Sequence, residues 1–106
     1  MSEGYKITKF YPKEETYGLI SQMRRASVSI IANLAEGCGK KHIRELIKFV
    51  SIAIGSSNEI GVYLNLSKDL KYINVPSFKR LISDYNEISK MLYSLRKSLE
   101  LKKNKN

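Results

Sequence analysis

From Glu14 onward, apolar residues recur at steps of three and four, the spacing that puts side chains on one face of an α-helix, and no stretch alternates with the period of two of a half-buried strand. The pattern predicts helices throughout. Tyr5 to Tyr11 reads as the last turns of a first helix that Pro12 stops, because proline lacks the amide hydrogen and crowds the carbonyl four residues back. A second helix starts near Glu14 to Thr16 and ends at Glu36, where Gly37-Cys38-Gly39 permits a tight reversal. A third runs from His42 or Ile43 to Leu70 and leaves through Lys71-Tyr72-Ile73. Asn74, followed by Val75 and Pro76, supplies the cap and first turn of a fourth, which continues to about Leu101. Residues 102–106 read as a flexible basic tail. The whole chain, 1–106, is then one helical domain in which residues 1–12 are the remnant of a first helix.

The helices differ in how their apolar residues are arranged. In the fourth, Phe78, Leu81, Tyr85, Ile88, Leu92, Leu95 and Leu99 form one seam of the kind that packs in left-handed bundles. In the third, Leu46, Ile47, Phe49, Val50, Ile52, Ala53 and Ile54 cover most of the circumference, which places that helix in an interior. A chain with so few helices encloses few positions on every side, so part of this surface is expected to meet another copy. Gly55, Ser56, Ser57 and Gly61 would let a helix approach closely, either that of a partner or one within the same chain. The second helix carries a polar stripe, Gln22, Arg25, Ser29, Asn33 and Glu36, opposite Ile20, Met23, Ser27, Ile30, Ile31 and Leu34. Amides, a hydroxyl and single opposite charges suit a packed polar seam against a neighbouring helix or subunit better than a solvated face.

Composition narrows the class. The chain of 106 residues is 42% hydrophobic and 27% charged, with a formal charge of +9, so it reads as soluble and globular and is expected to attract polyanions at low salt. Cys38 stands alone, which excludes an intramolecular disulfide and a cysteine metal cluster. No signal-peptide pattern and no membrane-length apolar run is present, and a reducing cytoplasm is the expected compartment.

Several runs together carry a family resemblance. They are Tyr11-Pro12-Lys13-Glu14-Glu15-Thr16-Tyr17-Gly18-Leu19-Ile20-Ser21-Gln22-Met23-Arg24-Arg25-Ala26, Ser29-Ile30, Asn33-Leu34-Ala35-Glu36-Gly37, Glu45-Leu46, Phe49-Val50, Ala53, Gly55-Ser56, Glu59, and Lys68-Asp69-Leu70-Lys71-Tyr72-Ile73. In order and spacing, over about residues 5–100, the chain resembles the four-helix-bundle proteins encoded within intervening sequences of bacterial large-subunit ribosomal RNA genes. The resemblance implies an all-α, up-down four-helix bundle that assembles into a ring-like homopentamer. A related branch comprises accessory proteins of diversity-generating retroelements, basic pentamers that bind a reverse transcriptase and nucleic acid. The chain departs from the family in three places: of the first helix only Tyr5-Lys6-Ile7-Thr8-Lys9-Phe10 remains, so that either the true start lies upstream or the helix is short, Ile31 replaces a frequent proline, and His42 replaces a helix-capping serine three residues before Glu45. A short first helix would leave apolar surface on the other helices without cover.

Candidate chemistry is limited to charge. Lys40 and Lys41 open a helix whose unpaired amides favour anions, and Arg44 and Lys48 continue the charge, so these four read either as a phosphate-facing rim or as a solvated basic loop. Arg24 is a further phosphate contact or an interface anchor, whereas Arg25 is expected to pair with Glu36 or Glu59, across turns or between subunits. Lys79, Arg80, Lys90, Arg96, Lys97 and the tail lysines form a second basic set, and Tyr72, Tyr85 and Tyr93 suit bundle packing better than base stacking. His42 is a lone histidine without the companions of a metal site, Cys38 lacks an evident base beyond it, and no carboxylate pair or phosphate-binding loop is present. No cofactor and no catalytic residue is expected. The sequence points to a non-enzymatic homo-oligomer, associated with RNA or DNA as an accessory or scaffold. The alternative is an interaction module for a reverse transcriptase or another co-encoded protein, without direct nucleic-acid contact.

Overall fold

The computed structural model describes the backbone of residues 2–105 and the side chains of residues 14–105. The described residues form three helices, α1 (Ser2–Cys38), α2 (Ile43–Asp69) and α3 (Val75–Lys105), with no strand. α2 lies in the middle. α1 packs on one flank and α3 on the other, and among the described residues no Cα atom of α1 comes within 8 Å of one of α3. The molecule measures 68 × 23 × 14 Å along its principal axes, a long body much thinner than it is wide. Its radius of gyration, 18.0 Å, compares with about 13 Å for a compact domain of this length.

The expected four-helix bundle is therefore corrected to an open three-helix layer. The first and second predicted helices are one continuous helix that runs through Pro12. A proline forfeits one hydrogen bond, here to the carbonyl of Thr8, and crowds that group, an effect of about 3 kcal/mol that can bend a helix without reversing the chain. Lys13, Glu14 and Glu15 are good helix formers and offer no turn. The side chains of the remnant segment Tyr5 to Phe10 lie outside the described residues.

Both true reversals are built from backbone hydrogen bonds. After α1, the amides of Gly39 and Lys40 donate to the carbonyls of Glu36 (3.2 Å) and Gly37 (3.1 Å). Gly37 lies within the helix and is needed there for space: a Cβ would stand 3.0 Å from both Leu46 Cδ1 and Phe49 Cβ, where α2 crosses. The turn expected at Gly37 thus begins two residues later. After α2, Tyr72 donates to the Ser67 carbonyl (2.8 Å) and Lys71 to that of Lys68 (3.0 Å), a Schellman closure whose left-handed residue is Lys71, at φ 61°. Asn74 then caps α3 as predicted, its Oδ1 accepting from the Ser77 amide at 2.8 Å. α3 runs on to Lys105, so the basic residues 102–105 are helical rather than a frayed tail; Asn106 lies outside the described residues.

The core is closed at one end only. Near the α1–α2 turn, Leu34 from α1 and Leu99 from α3 close over Val50 and Ile54 with Leu46 and Leu92, and Val50 is fully buried. Towards the other end the flanking helices leave α2 uncovered between them. There a groove of about 460 Å³ opens along α2, floored by Ser57, Ile60, Leu64 and Ser67. Half of the α3 seam faces it without cover, so that Leu81 and Ile88, like Leu95 farther along, stay 40–48% exposed while Leu92 is buried. The third predicted helix is the central one, as its all-round apolar pattern required, yet Ile52 on its far side remains exposed.

Candidate nucleic-acid interface

Because α2 and α3 are antiparallel, the C-terminal end of α3 lies beside the N-terminal end of α2. Arg96 donates to Ser51 Oγ at 3.3 Å, and Leu99 packs against the cluster that includes Leu46. This register brings Lys102, Lys103 and Lys105 to the end that carries Lys40, Lys41, Arg44 and Lys48. The sequence gives these as two separate charge runs, and only their three-dimensional neighbourhood makes one basic pole. Lys79 and Arg80, in the first turns of α3, lie at the opposite end. Arg24 lies roughly 20 Å back along α1 from the turn, too far to share a contact with Lys40 and Lys41.

Within the pole the charges are held in different ways. Lys40 pairs with Glu36 (3.4 Å), and its Nζ lies 5.5 Å from the centre of the Phe49 ring, with that of Lys48 5.9 Å from the same ring. Phe49 thereby fixes the spacing of two ammonium groups across the α1–α2 junction. Lys103 pairs with Glu100 at 3.0 Å. Lys41, Arg44, Lys48, Lys102 and Lys105 have no ion-pair partner among the described residues. His42 occupies the N-cap of α2 with extended backbone (φ −105°, ψ 134°) and makes no capping hydrogen bond, which leaves the first α2 amides free for an anion. Lysines in the last turn of α3 also oppose its negative end, so they stabilise the helix that presents them.

The polar stripe of α1 divides. Ser29 Oγ is 2.8 Å from Ser56 Oγ of α2, and Asn33 Nδ2 donates to the Ser29 carbonyl (2.7 Å) and to Ser29 Oγ (3.1 Å). These two residues make a seam inside the chain, where Ser56 is one of the small residues that permit the approach. Gln22, Arg25 and Glu36 remain exposed. The expected pairing of Arg25 with Glu36 or Glu59 does not form within one chain: Glu36 lies about 16 Å farther along the same helix and engages Lys40, and neither Arg25 nor Glu59 has an ion-pair partner among the described residues. Gly61, a second small residue, is occupied by the Tyr85 ring, whereas a Cβ at Gly55 would meet nothing within 4 Å.

Cys38 is exposed, and among the described residues no group of three or more His, Cys, Asp or Glu side chains could hold a metal ion. No described helix is long and apolar enough to cross a membrane. Tyr72 has its phenol held above the ordinary value of 10.0, first by its hydrogen bond to Glu15, then by desolvation and the Glu15 charge. That contact fastens α1 to the α2–α3 turn, at the end away from the basic pole.

No curated protein and no solved structure matches the chain. A family model described as 23S rRNA-intervening sequence protein matches residues 1–94. With residues 1–94 of 106 matched, the chain, all-helical over its described residues, belongs to the 23S rRNA-intervening sequence protein family.

Proposed function

We propose that this protein is a non-enzymatic, homo-oligomeric helical scaffold that associates with nucleic acid through its basic pole. The supporting observation is the joining of two sequence-distant charge runs, at the α1–α2 turn and at the end of α3, into one surface with five basic side chains free of ion pairs among the described residues. Such a surface engages phosphates, contacts that position a nucleic acid without reading its sequence. Assembly into a ring, a pentamer in the proteins this chain resembles, repeats the pole around an axis, and contacts that are weak singly then add through effective concentration.

The test is fluorescence anisotropy with labelled single-stranded and duplex RNA and DNA over a salt series. Binding at low salt should weaken steeply as salt rises, and replacing Lys41, Arg44 and Lys102 by Gln should reduce the magnitude of the log–log slope by about two to three for each pole engaged. Absence of binding at low salt, or a slope indifferent to these substitutions, overturns the nucleic-acid reading. A protein partner, such as a reverse transcriptase or another co-encoded factor, that stays bound after nuclease treatment of a native pull-down would favour the interaction-module alternative.

A further inference from the structure

The chain exposes 8013 Å², whereas a compact monomer of 12.2 kDa exposes about 6,100 Å². The excess, about 1,900 Å², is more than twice the roughly 800 Å² that each partner contributes to an interface of standard size. The elongated outline accounts for part of it, and exposed apolar side chains gather in two places. One is the groove, whose rims carry Ile31 (69% exposed) and Ile88 (48%) and whose floor holds Ser57 Oγ, a buried hydroxyl with no hydrogen-bond partner. The other is the far side of α2, where Ile52, Gly55, Glu59, Val62 and Leu66 follow one another at steps of three and four. Val62 there is 64% exposed, and the bare Gly55 backbone leaves the ridge narrow.

These faces have unlike shapes, one concave between two helices and one convex along a single helix. We infer that copies of this chain join groove to ridge, the α2 ridge of one copy seating in the α1/α3 groove of the next. This rests on the oligomeric reading above and assigns its interface. A contact between unlike faces leaves a free groove at one end of any open chain of copies and a free ridge at the other, so it propagates until a ring closes; a like-to-like contact would stop at two copies. Charge agrees with this pairing. Arg24 shares the groove-side face of α1 with Ser27 and Ile31, Glu59 lies on the ridge between Gly55 and Val62, and neither has an ion-pair partner among the described residues. The second copy also supplies the second layer that the 14 Å thick molecule lacks.

The test uses the full chain in two forms, a groove variant, Ile31→Asp with Ile88→Asp, and a ridge variant, Val62→Asp with Leu66→Asp. Light scattering after size exclusion should give each variant alone the mass of one chain, with helical circular dichroism retained. Mixed in equal amounts, they should form a species of twice the 12.2 kDa chain mass and nothing larger, because each pair joins one intact groove to one intact ridge. Wild-type mass for either variant alone, or two helical variants that stay single when mixed, overturns the groove-to-ridge assignment. Should the charges unfold a variant, cysteines in a Cys38→Ser background decide: oxidised mixtures of Ile31→Cys and Leu66→Cys chains should give mainly the mixed disulfide, and predominance of like pairs overturns the assignment. A wild-type chain that is single at every concentration overturns the oligomeric reading itself.

Discussion

Gly61→Ala places one methyl group on α2 where the Tyr85 ring of α3 lies against it. An ideal Cβ would stand 2.6 Å from Tyr85 Oη, 2.7 Å from Cζ and 3.1 Å from Cε2, against the ~3.5–4.0 Å of a relaxed contact. The ring must retreat by about 1 Å, and it has room to do so because Tyr85 borders the open groove. Overpacking of this kind costs about 1–3 kcal/mol, so a middle value of about 2 kcal/mol is appropriate. Alanine in place of glycine in a helix returns about 1 kcal/mol. The net expectation is a loss of about 1 kcal/mol. Gly18→Ala is the control, because a Cβ there meets nothing within 4 Å and only the propensity gain of up to about 1 kcal/mol remains. Urea unfolding followed by far-ultraviolet circular dichroism, at one fixed protein concentration because assembly contributes to stability, should separate the two variants by about 2 kcal/mol. In a Tyr85→Ala background, Gly61→Ala should become stabilising, with a coupling of about 2 kcal/mol. Equal stabilisation by Gly61→Ala and Gly18→Ala, or no coupling to Tyr85, would refute the reasoning that the ring occupies the space of the missing side chain.

Lys71→Gly should stabilise the protein by about 1 kcal/mol, because Lys71 holds the left-handed position that closes α2, and an unchanged urea midpoint would contradict this. Asn74→Ala should cost about 1 kcal/mol through loss of the Ser77 amide partner, and Asn74→Asp should restore most of it; equal midpoints for all three proteins would show that the cap contributes nothing. Ultraviolet titration should show one tyrosine ionising above the ordinary value of 10.0, and Glu15→Gln should bring it down. Since the folded chain keeps the Tyr72 proton to higher pH than the unfolded chain, this contact contributes fully below pH 10 and is lost as pH rises through the folded value.

Much of the secondary structure was legible in local chemistry. The three-four periodicity specified helices, the apolar circumference of residues 46–54 specified which helix is central, and Asn74 marked where α3 begins. The family was legible too, because its motifs keep their order along the chain. Pro12 misled, since a proline's local effect is the same in a bent helix as in a finished one and only the neighbouring turns decide between them. Gly37 misled for a related reason: glycine serves equally for a reversal and for close approach, and the choice depends on Leu46 and Phe49, which belong to another helix. Lys71 gave no local sign of a left-handed residue, because the hydrogen bonds of Lys71 and Tyr72 to Lys68 and Ser67 enforce it. Local chemistry thus specified the helical class, the central helix and the total charge, all set by neighbours along the chain, but not how many helices there are. The tertiary structure alone decided that α1 and α3 stay apart, that two charge runs become one pole and that a groove and a ridge lie on opposite sides of α2, because those follow from the register and angle at which separate helices pack.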